Sequence, residues 1–307
     1  KNNLDPATLE AREIDGGKYV AAVVKQKGRP TPEVLVDALP KLVESIKFEK
    51  SMRWNDSGVA FSRPIRWYVA LLGDMVIPFE YAGVVSGNSS RGLRPYDSPE
   101  ITIPSADKYF DTIREAGITL DKEERKASIV EQVKQAASLI GGEAIIEDGL
   151  LNEVANLIEM PTAVMGGFDK EYLSLPRDVL ISVMKKHQRY FPVTNYQSTN
   201  YQLLPHFIAI RNGDDLHIDI VREGNEHVLG ARFADADFFV REDVKLKLEE
   251  YRPKLSSLTF HTKLGSMLDK SERIEKLVNE LIPTLGLEAD QAIFARRAAH
   301  LMKAELV

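Results

Sequence analysis

The segment RPKLSS, residues 252–257, separates two kinds of sequence in this chain. Before it, β-rich runs alternate with helical patterns. After it, only helical spacing is found. Leu264, Leu268, Ile274, Leu277, Val278, Leu281 and Leu285 form one apolar stripe over residues 264–285, and residues 289–307 continue helically. The fold class read from this change is α+β up to residue 251, followed by the start of an all-helical domain over 252–307. Residues 1–54 are read as a strand-and-helix segment joined to the 55–251 body.

Working upstream, residues 222–251 are largely helical in pattern, and LLPHFIAIRN (203–212) is a strong strand. PRDVLISVMKKHQRYF predicts a helix from Pro176 to about residue 190. Residues 149–159 form a short helix stopped by Pro161, and TAVMGGF is a strand or bend. The helix over 121–140 has a start made by Asp121 and Glu124, a stripe of Ala127, Val130, Val133, Ala137 and Ile140, and a stop at Gly141. EITIP is a short strand. SGNSSRGLRP (86–95) is loop by composition. Residues 62–84 hold a hairpin about Gly73-Asp74, a helix starts at Pro32, and residues 10–26 are two strands about Asp-Gly-Gly.

The chain has 307 residues, enough for about two domains at roughly 150 residues each. Its net charge is −6, so a polyanion would meet local basic patches rather than a global field. There is no cysteine, which excludes disulfides and cysteine chemistry and fits a reducing compartment. No run approaches the roughly 18 apolar residues of a membrane span. The start KNNLDPATLE lacks methionine and the end is an uncapped helical pattern, so the chain is read as a piece of a longer protein.

Three constellations bear on chemistry. MKKHQRYFPV, residues 184–193, puts His187 and Phe191 on the buried face of its helix. Lys185, Lys186 and Arg189 then either offset the helix dipole, by roughly 0.3–1 kcal/mol each, or contact phosphate with Tyr190 as a stacking platform. SGNSSRGLRPYD is either a flexible connection or an anion nest in which Arg91 and Arg94 contact phosphate. It is neither a Walker loop nor a dinucleotide fingerprint. Asp235 and Asp237 sit in a helical pattern, where they point about 200° apart and do not converge on a metal. Phe233, Phe238 and Phe239 are read there as core. The six histidines form no H-E-x-x-H, and Gly-x-Ser-x-Gly is absent.

The strings MRW (52–54), FSRPIRW (61–67), LLGD (71–74), VIPF (76–79), LLNEVANLIEMP (150–161), MKKHQRYFPV, GNEHVLGARFADADFF (224–239) and FHTKLGSMLDKSERI (260–274) carry a resemblance. Their order and spacing resemble the β subunit of the bacterial-type α2β2 glycyl-tRNA synthetase, from about Ile14 onward. The resemblance implies a B3/B4-like mixed domain, then the opening of an HD-like helical domain. It implies tRNA(Gly) and the α subunit as partners, with no membrane and no DNA. It places the aminoacylation site, with its ATP and Mg, on the α subunit, so no cofactor and no catalytic or metal residue is expected here. The cytoplasm is the implied location, or the plastid stroma for a plant protein. Basic residues of the HD-like part, Lys263, Lys270, Arg273, Arg296 and Arg297, join the RNA-binding candidates. The chain has no His-Asp dipeptide; His261 echoes the first HD ligand, and HLMKAEL (300–306) holds Lys303 where a ligand would fall. Two alternatives stay beside this reading: an editing hydrolase of mischarged tRNA, and a degenerate HD-type metal phosphohydrolase. The small size of glycine lowers the need for editing.

Overall fold

The computed structural model describes residues 9–22, 28–195 and 202–307. The last residues of the predicted second strand, 23–26, lie outside them. The chain divides into two compact units. The first holds the residues up to 128 with 155–162 and 211–214; the second holds 129–154, 163–210 and 215–307.

In the first unit, strands β1 (Leu9–Ile14) and β2 (Gly17–Ala22) pair antiparallel. Their turn rests on Asp15 and Gly16, both at positive φ, a conformation that glycine tolerates without strain. Helix α1 (Thr31–Ser45) begins with proline in its first turn. Its Leu35, Leu39 and Val43 cover buried Ala70, Ile77 and Phe79. Those three lie between very short strands: β3 (Tyr68–Val69), β4 (Leu71–Leu72), β5 (Met75–Val76), β6 (Glu80–Tyr81) and β7 (Val84–Gly87). β4 and β5 form the hairpin about Gly73, at φ 62°.

Residues 86–95 are not the loop that their composition predicts. β7 runs to Gly87, and β8 (Ser89–Arg91) pairs with β9 (Glu100–Thr102). Small residues suit these positions: the Ser86 hydroxyl donates to Ile77 O and accepts from Phe79 N inside the core. Ser86 N donates to Phe79 O and Gly92 N to Pro99 O, so these two N–H groups are engaged within the fold. Leu93, Ile103, Ile113 and Ile118 form a second core cluster, with helix α2 (Tyr109–Glu115) supplying Ile113.

Helix α3 (Lys122–Leu139) starts as expected, with Asp121 accepting from Glu124 N at 2.8 Å. Its buried residues are Ile129, Val133 and Ala137. Ala127 and Ile140 are exposed, so the stripe is turned by about one position from the predicted one. β10 (Gly142–Ala144), α4 (Asp148–Leu157), β11 (Pro161–Gly167) and α5 (Arg177–Ser182) follow.

The second unit is built on a four-stranded sheet in the order β10, β12 (Phe191–Asn195), β13 (Leu203–Asn212), β11. Val164, Phe207 and Ala209 from the sheet pack with Leu180, Met184 and Tyr190. Leu229 and Phe233 of helix α6 (Ile218–Asp243) complete that core. Phe207 is fully buried, stacks on Tyr190 with ring centroids 4.6 Å apart, and lies over Gly166, whose missing side chain makes room for the ring. Phe233 is core as expected, but Phe238 and Phe239 are 58% and 62% exposed. At about 100° per residue, positions five and six past Phe233 fall off the inward face of the helix, which returns at Val240.

α5 does not continue as a regular helix. Residues 183–188 form a π-helical turn, closed by Tyr190 N donating to Met184 O at 3.0 Å, and Arg189 ends it at φ 59°. The extra residue in the turn shifts the face that follows. His187, predicted inward, is therefore exposed, while Met184 and Phe191 stay buried.

After α7 (Leu248–Tyr251), residues 252–257 form a 3₁₀ turn. A small hairpin, β14 (Thr259–His261) with β15 (Gly265–Ser266), interrupts the expected all-helical run. α8 (Met267–Thr284) begins where Ser266 and Asp269 cap each other reciprocally. α9 (Ala289–Leu301) packs against it. Arg252, only 15% exposed, donates to Glu275 of α8 at 2.9 Å and to His300 O of α9 at 2.9 Å; Glu275 also meets His300 Nδ1 at 3.1 Å.

Candidate nucleic-acid interface

The first unit contains a cleft of about 680 Å³. One wall is the turn that follows β8. Leu93, 1% exposed, anchors it, and Leu93 O accepts from both Tyr96 N and Ser98 N at 3.1 Å. Arg94 stands at the start of this turn, and Asp97 and Ser98 both hold left-handed backbone, at φ 60° and 49°. Two adjacent non-glycine residues in this region carry strain, which the anchored Leu93 and the Gly92 N to Pro99 O bond at 2.8 Å hold in place. The Tyr96 hydroxyl accepts from Asp214 N at 2.8 Å and fixes the outer edge.

Asn156, Leu157, Glu159 and Asn212 also line the cleft. The Asn212 side-chain oxygen accepts from Glu159 N at 3.0 Å and Met160 N at 2.9 Å. Its amide group is thereby left with two N–H donors to offer. Gly213 N to Met160 O at 2.8 Å and Thr162 Oγ1 to Gly213 O at 2.6 Å lock this segment. Arg66, Trp67 and Arg91 complete the lining.

The charge state of these cations sets the cleft apart. Arg66 and Arg94 make no ion pair or side-chain hydrogen bond among the described residues. Many arginines elsewhere are engaged: Arg29 by Asp37 at 2.8 Å, Arg241 by Asp237 at 2.7 Å, Arg125 by the carbonyls of Thr119, Leu120 and Ala155. Within the cleft Arg91 lies 3.4 Å from Glu100, so it is partly neutralised.

The helix-end cluster in the second unit is different. Lys185 pairs with Glu147, and Arg189 pairs with Glu153 of α4 at 2.5 Å. Tyr190 is 7% exposed, and burial pushes its phenol above the ordinary tyrosine range. It is a core residue and not the exposed stacking platform expected; the π turn and Phe207 bring it inward. Lys186 is exposed and free of partners among the described residues. Of the remaining candidates, Lys270 lies over the Phe260 ring at 3.9 Å, Arg296 donates to Asn279 at 2.9 Å, and Arg297 pairs with Glu249. Lys263 and Arg273 are exposed. Asp235 and Asp237 are on a helix and pair with Arg232 and Arg241 respectively. His261 accepts from Lys263 N at 3.1 Å.

Sequence reading placed Arg91 and Arg94 in one site and missed Arg66 and Trp67. The adjacent Arg-Trp at the end of FSRPIRW was visible, but its partnerless state is a property of the fold.

Fold and cleft together define a mixed α+β protein with one arginine-walled, tryptophan-bearing concavity. The family model for the glycyl-tRNA synthetase beta subunit matches residues 1–307. The chain is 44% identical to the glycine-tRNA ligase beta subunit of Clostridioides difficile over 304 residues, covering 99% of this chain and 44% of that protein. It is 42% identical to the Desulfitobacterium hafniense beta subunit, again over 99% of this chain and 44% of the relative. It is also 44% identical to glycine-tRNA ligase, chloroplastic/mitochondrial 2 of Arabidopsis thaliana, over 96% of this chain and 27% of that protein. The chain belongs to the glycyl-tRNA synthetase beta subunit family, and it spans less than half the length of these relatives.

Proposed function

We propose that this chain is the part of a glycine-tRNA ligase beta subunit that contacts tRNA(Gly) and supports the alpha subunit. In this reading the alpha subunit performs aminoacylation with ATP and Mg, and this part supplies no catalytic residue. The beta-subunit family match along the whole chain carries the reading. The partnerless Arg66 and Arg94 support the RNA contact, because phosphate binding is made by cations that are not already neutralised. The mixed sheet with its covering helices is consistent with a B3/B4-like domain, and the α8–α9 pair with the opening of an HD-like domain. The cytoplasm, or an organelle as for the Arabidopsis relative's name, is the proposed location. Among the described residues no helix is long and apolar enough to cross a membrane.

The test is tRNA(Gly) binding by the 307-residue chain at low and moderate salt, beside Arg66→Ala/Arg94→Ala and Lys186→Ala variants. Salt-weakened binding that the cleft variant loses supports the reading. Retained alpha-subunit capture with no tRNA binding at either salt would leave the chain as a subunit-contact module only. Charge reversal at Lys185 or Arg189 is a poor probe, since it would set a carboxylate against Glu147 or Glu153 and disturb the fold.

A further inference from the structure

We propose that the arginine cleft is a subsite for one unpaired nucleotide, its base on Trp67 and its phosphate between Arg66 and Arg94. The inference rests on the RNA-contact reading above and goes further, because it fixes the conformation of the RNA at this point.

Four observations carry it. Trp67 is 42% exposed at the cleft, where a tryptophan face is available to a base. Arg66 is its chain neighbour, Arg94 lines the same cleft, and neither has a partner among the described residues. Arg63 shares that freedom but does not line this cleft. The volume of about 680 Å³ lies in the range of small-ligand pockets and holds a nucleotide, not a helix. The Asn212 amide N–H donors and the exposed Asn156 amide line the same cleft and are available to the polar edge of a base.

The acids in the cleft sharpen the reading. Asp97 and Glu159 line it as well, and Arg91 is shared with Glu100. A continuous duplex backbone would bring several phosphates against those carboxylates. A single phosphate can sit on Arg66 and Arg94 and avoid them. An unstacked base also matches how proteins read RNA at loops and ends, by stacking and edge contacts.

The chain has two tryptophans, so Trp54→Phe leaves Trp67 as the only indole reporter. In that background, fluorescence is titrated with a short single-stranded oligoribonucleotide, the same sequence as a duplex, and AMP. A saturable quench by the single strand is expected, with affinity at least tenfold weaker in Arg66→Ala/Arg94→Ala. With a labelled oligonucleotide, Trp67→Leu weakens binding roughly 5- to 100-fold, while Trp67→Phe keeps most of it. Circular dichroism of each variant checks the fold, and Trp67→Phe preserves the test if Trp67→Leu unfolds. No quench, or an equal quench in the double arginine variant, overturns the proposal. A duplex that quenches as well as the single strand overturns the unpaired state. AMP binding as tightly as the oligonucleotide assigns the cleft to a free nucleotide and overturns the RNA source. In parallel, tRNA(Gly) binding is measured on the same proteins. Unchanged tRNA binding without any Trp67 response refutes this subsite and leaves the tRNA reading standing. A single-strand response without tRNA binding refutes the tRNA reading and leaves the subsite standing.

Discussion

Gly166 and Phe207 form a pair whose coupling tests the packing of the second unit. The Phe207 ring is fully exposed to neither solvent nor cavity: it is 0% accessible, stacked on Tyr190, and laid over the bare Cα of Gly166. A methyl group at Gly166 would drive into the ring, although the backbone there is not in the left-handed region. Gly166→Ala should cost about 1–3 kcal/mol through overpacking. Phe207→Ala should cost about 3–5 kcal/mol through lost burial and the cavity left behind. The ring-on-ring contact with Tyr190 accounts for about 0.5–1.5 kcal/mol of that. In the double variant the methyl enters the space the ring has vacated, so the Gly166 change becomes nearly neutral or favourable. The cycle therefore yields a coupling of about 1–3 kcal/mol, read from urea midpoints at constant slope. Additive single effects, within about 0.5 kcal/mol, would refute the close approach of the ring to Gly166.

Other perturbations test separate features. Hydrogen bonds from the Ser266 backbone and hydroxyl hold the Asp269 carboxyl below the usual aspartate range. Its folded pKa is depressed, so its contribution is present above the unfolded pKa and is lost as pH falls through the folded value. A pH series of urea melts should show wild type and Asp269→Asn differing at pH 6 and converging in strong acid; a gap that does not vary with pH would contradict this. Burial raises the Tyr190 phenol, so its contribution is present below the unfolded tyrosine pKa and fades as pH rises above it. Absorbance titration should find that Tyr190→Phe removes a phenol ionising later than the exposed ones. Glu275→Ala leaves Arg252, 15% exposed, without its carboxylate, at a cost of about 1–3 kcal/mol after discounting for partial solvation. Arg252→Met in the same chain should recover part of that loss, and no recovery would show that the cost lies in the packing of α8 on α9.

Sequence disclosed what is decided locally. The caps at Asp121 and Glu124, the turn at Gly73 and the Pro-led starts of α1 and α5 each depend on a few adjacent residues, and each was legible. The misreadings depend on distant partners or on a departure from regular helical period. β8 is a strand because Glu100–Thr102 arrives to pair with it, which no composition rule sees. His187 faces outward because the π turn adds a residue, and the helical period cannot register that. Phe238 and Phe239 look like core in one dimension, yet they fall between the inward positions Phe233 and Val240 and turn to solvent. The candidate site was half legible for the same reason. Arg91 and Arg94 stand in a conspicuous small-residue stretch, whereas Arg66 matters because no carboxylate among the described residues pairs with it.

That distinction between present and available charge leads to a last quantitative expectation. The chain carries 40 basic and 46 acidic residues, so its average field repels RNA. Many cations are moreover held by neighbours: Lys185, Arg189, Arg241 and Arg252 all face carboxylates. Counterion release scales with the phosphates actually neutralised, at a slope of roughly 0.7 to 0.9 per phosphate. One phosphate shared by Arg66 and Arg94 therefore predicts a contribution of roughly −0.7 to −0.9 to the log–log salt slope. Arg66→Ala should flatten the slope by part of that contribution and Arg66→Ala/Arg94→Ala by all of it, because both cations start unpaired among the described residues. Arg189→Ala should leave the slope unchanged and cost roughly 0.2–1 kcal/mol of stability, since it removes a half-exposed ion pair. The reverse result, a slope that responds to Arg189 and ignores Arg66, would mean that pairing in the free protein does not decide which cations meet RNA.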